Sequence, residues 1–181
     1  YIAFVLIWLL TLLPLRILYL FSNLFYFIIY YIIGYRKKVV IDNLQHAFPE
    51  KSKSEVITLS KLFFRHFCDI LVESAKTIHM SPQEIERRVT YPNPEILHKY
   101  FDRGQSVVLV SGHYGNWEWM SNTPRILKHK ALAIYKPLQN EQFNKLILKI
   151  RKRYAPQIEL IVMNEVVRVL IQQLTNQQVL L

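Results

Sequence analysis

The chain has 181 residues and a mass of 21.6 kDa, which suits one domain with an appendage and leaves little room for two full domains. Hydrophobic residues make up 51% and charged residues 20%, a composition that excludes wholesale disorder. Lysine and arginine outnumber aspartate and glutamate by 23 to 13, which favours anionic partners: lipid headgroups, nucleic acid or an acidic carrier protein.

Cysteine and glycine are both scarce. The single cysteine, Cys68, excludes an internal disulfide framework and a multi-cysteine zinc site. Four glycines argue against glycine-rich nucleotide loops, and we predict neither a cofactor nor a metal. The chain begins at Tyr1 rather than methionine and stops inside an apolar run, so we expect a fragment truncated at both ends.

Residues 1–33 are predicted to anchor the chain in a membrane. Arg16 is their only charged residue, and about 20 apolar residues suffice to cross a bilayer core. We interpret the start as a truncated transmembrane helix ending near Pro14, followed by an aromatic-rich helix over 15–33 that lies at or dips into the interface. A buried hairpin of core helices in a soluble protein remains the alternative.

A basic cluster, Arg36-Lys37-Lys38, follows the apolar segment directly. The positive-inside rule places this cluster and everything after it on the cytoplasmic side. The same residues are suited to contact anionic lipid, although three basic residues are also typical of a solvated helix start. We therefore assign residues 34–181 to a cytoplasmic domain.

The middle of the chain is predicted to be helical. Ser52 followed by Glu55 is a capping-box signature, and apolar residues recur at helical spacing after it. Four helices are predicted here. The first covers residues 36–48, the second runs from Ser52 to about His79, the third begins at Ser81 with Pro82 in its first turn, and the fourth covers 94–102 and ends at Gly104.

The pattern then changes to alternating strands and helices. Residues 106–110 are β-branched and uncharged, which predicts a strand buried on both faces. A turn over 111–116 and a helix to about Lys130 follow. The remaining predicted elements are a strand over 131–135, a helix over 140–154, a strand over 158–163, a helix from Asn164 to about Thr175, and a strand over 179–181. This alternation predicts an α/β fold with a sheet flanked by helices.

The turn after the first strand holds the candidate catalytic residues. His113 and Glu118 are five residues apart and meet only if His113 lies in the turn and Glu118 in the first helical turn. The carboxylate would then fix the imidazole tautomer, leaving the other nitrogen as a general base. Ser111 is the only nearby candidate for a nucleophile, so direct attack by an activated hydroxyl on a carbonyl is the favoured chemistry. Gly115 and Asn116 are suited to shape an oxyanion pocket.

These residues carry a family resemblance. Ser-Gly-His113-Tyr-Gly-Asn-Trp-Glu118 resembles the H-x4-(D/E) motif of the glycerolipid-type acyltransferases, and more narrowly the bacterial lipid A biosynthesis late acyltransferases. Tyr35-Arg36-Lys37-Lys38, Ala47-Phe48-Pro49-Glu50 and Ile134-Tyr135-Lys136-Pro137 are similar to further elements of that family, with Lys37 replacing an arginine. The resemblance covers nearly all of the chain. We expect the family's C-terminal part to be missing from this sequence.

The resemblance implies a glycerolipid-acyltransferase-like mixed sheet and a definite reaction. Such enzymes move a fatty acyl chain from acyl carrier protein, or sometimes coenzyme A, to a hydroxyl of a lipid A precursor at the cytoplasmic face of the bacterial inner membrane. His113 would be the base and Glu118 its partner. Arg151, whose fork suits phosphate, and Lys136 would contact phosphate or the acyl carrier protein.

Three other functions are weighed against this one. A metal-dependent hydrolase would use His113 and Glu118 as ligands and need His98 or His129 as a third, although no recognised metal-site spacing occurs. A non-catalytic, membrane-tethered binding module with a basic face is the second alternative. Nucleic-acid binding is the weakest, because no motif supports it and lipid explains the apolar start better.

Overall fold

The structure is a computed structural model that describes residues 2–156, 158–173 and 178–180. It divides into two compact units, Tyr1–His79 and Met80–Leu181. The boundary that we predict between residues 33 and 34 separates a membrane anchor from a cytoplasmic domain. It is a different kind of boundary from one between compact units, and it remains a prediction.

The N-terminal unit is entirely helical over its described residues. Its elements are α1 (Ile2–Leu10), α2 (Leu15–Phe27), a π-helical segment (Ile28–Ile33), α3 (Lys37–Ala47) and α4 (Lys53–Lys76). Pro14 separates α1 from α2, as the sequence predicts, because proline fits the start of a helix but not its interior. By length and composition, the stretch Leu15–Ile33 is the one described helix that is apolar and long enough to cross a membrane.

An aromatic cluster packs α2 and the π-helical segment against α4. Tyr26, Tyr30, Phe64 and Cys68 are buried together, with Tyr30 and Phe64 in edge-to-face contact at 5.4 Å between ring centroids. The residues recur every three or four positions on both helices, which is the spacing of one helical face. Burial, together with the nearby Asp69 carboxylate, raises the pKa of the Cys68 thiol to about 11.

The π-helical segment ends in a left-handed turn. Gly34 has a φ of 66°, and Arg36 has a φ of 50°, a backbone region that residues with side chains rarely adopt. Among the described residues, Arg36 is the only one other than glycine with a positive φ. The turn redirects the chain from the apolar segment into α3.

The predicted capping box at the start of α4 is confirmed. The Glu55 amide donates to Ser52 Oγ at 3.4 Å, and the Ser52 amide donates to Glu55 Oε2 at 2.8 Å. We expect Ser52→Ala to lower the free energy of unfolding by about 1 kcal/mol, because the first turn of α4 loses a satisfied donor. Urea unfolding of the full chain measures this, with Thr58→Ala, an exposed change on the same helix, as a control that leaves stability nearly unchanged.

The contacts between Ser52 and Glu55 also make the stability loss in Ser52→Ala depend on pH. The hydrogen bonds from Ser52 hold the pKa of the Glu55 carboxyl below its ordinary value. A lowered folded-state pKa stabilises the protein at pH values above the ordinary pKa, and that contribution fades as the pH falls through the folded-state pKa. The difference between wild type and Ser52→Ala should therefore shrink in acid, and a difference that grows there would contradict this account.

The C-terminal unit is a small sheet with helices. Its regular helices are α5 (Pro82–Arg88), α6 (Glu95–Asp102), α7 (Glu141–Tyr154) and α8 (Val166–Gln173), and its strands are β1 (Val107–Val108), β2 (Lys130–Tyr135), β3 (Glu159–Val162) and β4 (Gln178–Leu180). The strand order is β1-β4-β2-β3. Ser81 caps α5 by accepting a backbone N–H group, as its sequence pattern predicts, and Asn140 caps α7 in the same way.

The α/β class is confirmed, but every pairing between described strands is parallel, whereas we predicted a mixed sheet. Leu132 of β2 lies opposite Glu159 of β3 and Leu180 of β4, which fixes the register on both sides of β2. Leu132 and Ala131 are fully buried there. A parallel sheet directs the carboxyl ends of its strands to one edge, which is where α/β folds place their sites.

Three local predictions are corrected. The strand predicted over 106–110 is only Val107–Val108, and Val108 is 67% exposed, because β1 lies at an edge and pairs with β4 alone among the described strands. The predicted helix to Lys130 is instead a 3-10 helix over Trp117–Ile126 that contains Pro124. Asn164 lies inside a short 3-10 turn before α8, and the predicted end of that helix at Thr175 lies outside the described residues.

Candidate active site

A cavity of about 490 Å³ lies in the C-terminal unit against the sheet. Its wall comes from the segment after β1, the 3-10 helix, β2, α7 and the start of β3. The lining residues are Leu109, Ser111, Gly112, His113, Trp117, Glu118, Met120, Ser121, Thr123, Ala133, Ile134, Tyr135, Lys136, Arg151, Ile158 and Leu160. Four of the six predicted site residues therefore line one cavity: His113, Glu118, Lys136 and Arg151.

His113 lies in the irregular segment between β1 and the 3-10 helix, as predicted. Its imidazole is exposed and contacts the ring of Trp117, with centroids 4.6 Å apart and planes at 55°. Gly115 has a φ of 57°, so the backbone bend expected after the strand is present and requires glycine. Within the described part of the chain, no hydrogen bond occupies either imidazole nitrogen, which leaves both available to a substrate.

Glu118 stands at the start of the 3-10 helix and forms an ion pair with Arg151 of α7. Arg151 Nη2 donates to Glu118 Oε1 at 2.7 Å, and Nε donates to Oε2 at 3.2 Å. The side chains are only 19% and 26% exposed, so solvent screens this fork-to-carboxylate contact weakly. The pair brings together two predicted site residues that are 33 positions apart in the sequence.

The contact between His113 and Glu118 differs from our expectation. Both side chains line the cavity, yet among the described contacts the carboxylate bonds to Arg151 and not to the imidazole. The guanidinium competes well for the carboxylate because its two parallel N–H groups match both oxygens. Gly115 and Asn116 precede the 3-10 helix but are not among the lining residues of the cavity.

Much of the cavity wall is apolar, and the residues that form this part of the wall were not predicted from the sequence. Trp117 lies beside His113, while Ala133, Ile158 and Leu160 pack in one cluster on the sheet. The four-residue spacing from His113 to Trp117 would indicate a contact on one face of an α-helix. That reasoning does not apply here, because His113 lies in an irregular segment and Trp117 begins a 3-10 helix. A cavity with polar groups on one part and aliphatic groups on another suits a substrate with a long apolar portion.

The serine and threonine hydroxyl groups that border the cavity differ in their contacts. Ser111 is exposed and its hydroxyl contacts the Gly112 carbonyl and the Met120 sulfur, which gives it no base to activate it as a nucleophile. Thr123 bonds to the Tyr91 phenol at 2.9 Å, and burial raises the pKa of Tyr91. The Ser121 hydroxyl is buried without a hydrogen-bond partner among the described residues.

The histidines considered as further metal ligands serve the fold. His98 Nε2 donates to the Ile126 carbonyl at 2.9 Å, and His129 Nε2 donates to the Gln105 carbonyl at 3.0 Å. Over the described ranges, no group of three or more His, Cys, Asp or Glu side chains is placed to hold a metal ion. Each of these histidines therefore has one ring nitrogen engaged by a backbone carbonyl.

The parallel sheet, the available histidine and the partly apolar cavity together form the candidate active site. The family model described as bacterial lipid A biosynthesis acyltransferase matches residues 1–181, so the chain belongs to that family. It is thus, at the level of the family, an acyltransferase of lipid A biosynthesis, a reaction that requires an acyl donor and a lipid acceptor. No individual curated protein matches the chain.

Proposed function

We propose that this protein transfers a fatty acyl chain from acyl carrier protein, or from coenzyme A, to a hydroxyl of a lipid A precursor or a related glycolipid. The observation that carries the proposal is that His113, Glu118, Lys136 and Arg151 line one cavity whose remaining wall is largely apolar. The polar group suits a thioester and a hydroxyl, and the aliphatic wall suits the first part of an acyl chain.

His113 is the proposed general base. As the acceptor hydroxyl attacks the thioester carbonyl carbon, the imidazole takes its proton. A carbon–oxygen bond forms, the carbon–sulfur bond breaks, and the proton passes to the departing thiolate. No covalent enzyme intermediate is needed, which agrees with the unactivated Ser111 hydroxyl.

Glu118 and Arg151 are proposed to act as a unit beside the base. The carboxylate holds the guanidinium in one orientation, and the guanidinium keeps further N–H donors. Those donors suit either the developing oxyanion or a phosphate of the acceptor. Glu118 thus supports His113 indirectly, because it fixes the position of a positive charge in the same cavity.

The charge of the chain supports the proposed partners. A net charge of +10 favours association with the acidic acyl carrier protein and with phosphate-bearing lipids. The basic residues Arg36, Lys37 and Lys38 follow the apolar segment, which favours a position at the cytoplasmic face of the bacterial inner membrane.

Mass spectrometry of lipids tests the reaction. We expect membranes from cells with the full-length protein to contain a glycolipid with one more acyl group than membranes from cells without it. Purified protein with acyl carrier protein or coenzyme A thioesters then identifies the donor. Identical lipid masses in both cell types, together with no transfer from either donor, would refute the proposal.

A further inference from the structure

An unpaired apolar stripe runs along α2 and the π-helical segment, and we call it the outward stripe. It consists of Ile17, Leu20, Leu24, Phe27 and Tyr31, all exposed. Leu20 is 68%, Leu24 51% and Phe27 53% exposed. Their spacing of three and four residues places them on one helical face. Exposed apolar area of this continuity indicates a surface that contacts something other than water.

The opposite face of the same segment is joined to α4 by polar contacts. The pairs are Tyr19 Oη to Glu73 Oε1 at 2.6 Å, Ser22 Oγ to Asp69 Oδ1 at 2.5 Å, and Tyr30 Oη with Ser60 Oγ at 3.2 Å. Positions rise along α2 as they fall along α4, so the two helices run antiparallel. The contacts extend along most of the segment, and α4 therefore accompanies it rather than crossing it at one point.

The charges on α4 decide how this segment meets a membrane. Asp69 and Glu73 bond to the middle of α2, and the exposed Lys61 and Arg65 lie further along α4. If Leu15–Ile33 crossed the bilayer, α4 would be drawn in beside it with these groups. Ionised side chains are rare at that depth because hydrocarbon does not solvate them.

Cations stand at both ends of the segment. Arg16 is exposed at the start of α2, and Lys37 Nζ lies 3.9 Å from the centroid of the Tyr30 ring at the other end. The Arg65 guanidinium lies 5.2 Å from the Tyr26 ring. Lysine, arginine and tyrosine are enriched at the headgroup level of membranes. Because both ends of the segment carry cations, we expect both ends to lie at the headgroup level of the same membrane surface.

We propose that α2 and the π-helical segment lie in the plane of a membrane surface that bears anionic headgroups. The outward stripe enters the acyl boundary, and α4 stays on the water side. The partner is the lipid bilayer. The inference rests on the proposed function only for the membrane's identity as that of the lipid acceptor. It extends the interfacial helix predicted over 15–33 to a docked hairpin, in which α4 lies beside that helix.

Cysteine labelling measures the depth of the stripe directly. Leu20→Cys, Leu24→Cys and Phe27→Cys are made one at a time in the full-length protein and labelled with an environment-sensitive fluorophore. Cys68 contributes little background because it is fully buried and its thiol has a pKa of about 11. Quenching by lipids that carry nitroxides at shallow or deep positions then gives a depth at each site, in vesicles of phosphatidylethanolamine with phosphatidylglycerol.

We expect the same shallow depth at all three positions. His66→Cys is the matched control, since His66 is exposed and stands about 200° around α4 from both Phe64 and Cys68. Its label should stay in water. Vesicles of phosphatidylcholine alone should give weaker quenching at all stripe positions, because they lack the anionic headgroups.

Two results would overturn the docked hairpin. A crossing helix would change depth by about 10 Å over the seven residues from Leu20 to Phe27. Labels that no lipid nitroxide quenches would show that protein, such as a second copy, covers the stripe. His113→Ala in the same background separates this inference from the proposed function: loss of acyl transfer with unchanged depths would support both, and unchanged transfer would refute the base without affecting the depths.

Discussion

His113→Ala is expected to lower the rate of acyl transfer by about 10²–10⁴-fold, which is the usual contribution of a positioned general base. The imidazole is exposed, and its described ring contact is with Trp117 alone, so its removal costs little packing. The measurement is transfer from an acyl carrier protein thioester to extracted lipid acceptor by the full-length protein, with circular dichroism to confirm folding.

His46→Ala is the control for that experiment. His46 is an exposed histidine of α3 whose Nδ1 contacts the Asp42 carbonyl within the same helix. It has the same residue type and lies in the other compact unit, so its loss should leave turnover unchanged. Turnover by His113→Ala at the wild-type rate would remove the proposed base, whatever the result with His46.

Breaking the ion pair between Glu118 and Arg151 should have the second-largest effect. Arg151→Lys keeps the positive charge but loses the fork that bonds both carboxylate oxygens. We expect it to lower kcat and to reduce the free energy of unfolding by about 1–3 kcal/mol, because a poorly exposed carboxylate loses its partner. Steady-state kinetics and urea unfolding measure the two quantities.

A double-mutant cycle shows whether the two residues act as a unit. Glu118→Gln, Arg151→Lys and their combination should give losses in kcat that do not add, since the second change removes an interaction already broken. Lys152→Ala, an exposed neighbour on α7, should leave activity and stability near wild type. Additive losses from Glu118→Gln and Arg151→Lys would indicate separate roles.

Much of the helical fold was predictable because its signals are local. The capping box at Ser52 and the proline after Ser81 each involve residues within four positions of one another, and both helices begin where predicted. The prediction for the first strand was wrong because the burial of a strand depends on residues distant in the sequence. A run of β-branched residues such as 106–110 predicts a strand, but its neighbours in the sheet decide whether it is buried, and β1 lies at an edge.

Four of the six predicted site residues line one cavity, but the contacts between them were not predictable from the sequence. The change from strand to turn marked His113 and Glu118, and the family resemblance marked Lys136 and Arg151, all of which line the cavity. The contact between Glu118 and Arg151 depends on how α7 packs beside the 3-10 helix. No spacing along the chain encodes that packing, so the carboxylate was assigned to the nearer imidazole instead.

The left-handed turn at Arg36 has a cost that glycine would avoid. A side chain in this backbone region is less favourable by roughly 1–2 kcal/mol, whereas glycine adopts it freely, as Gly34 does two positions earlier. The chain therefore keeps a guanidinium at the junction between its most apolar stretch and α3 despite conformational strain. The positive charge of Arg36 therefore stands between the apolar segment and α3 at a cost in backbone energy.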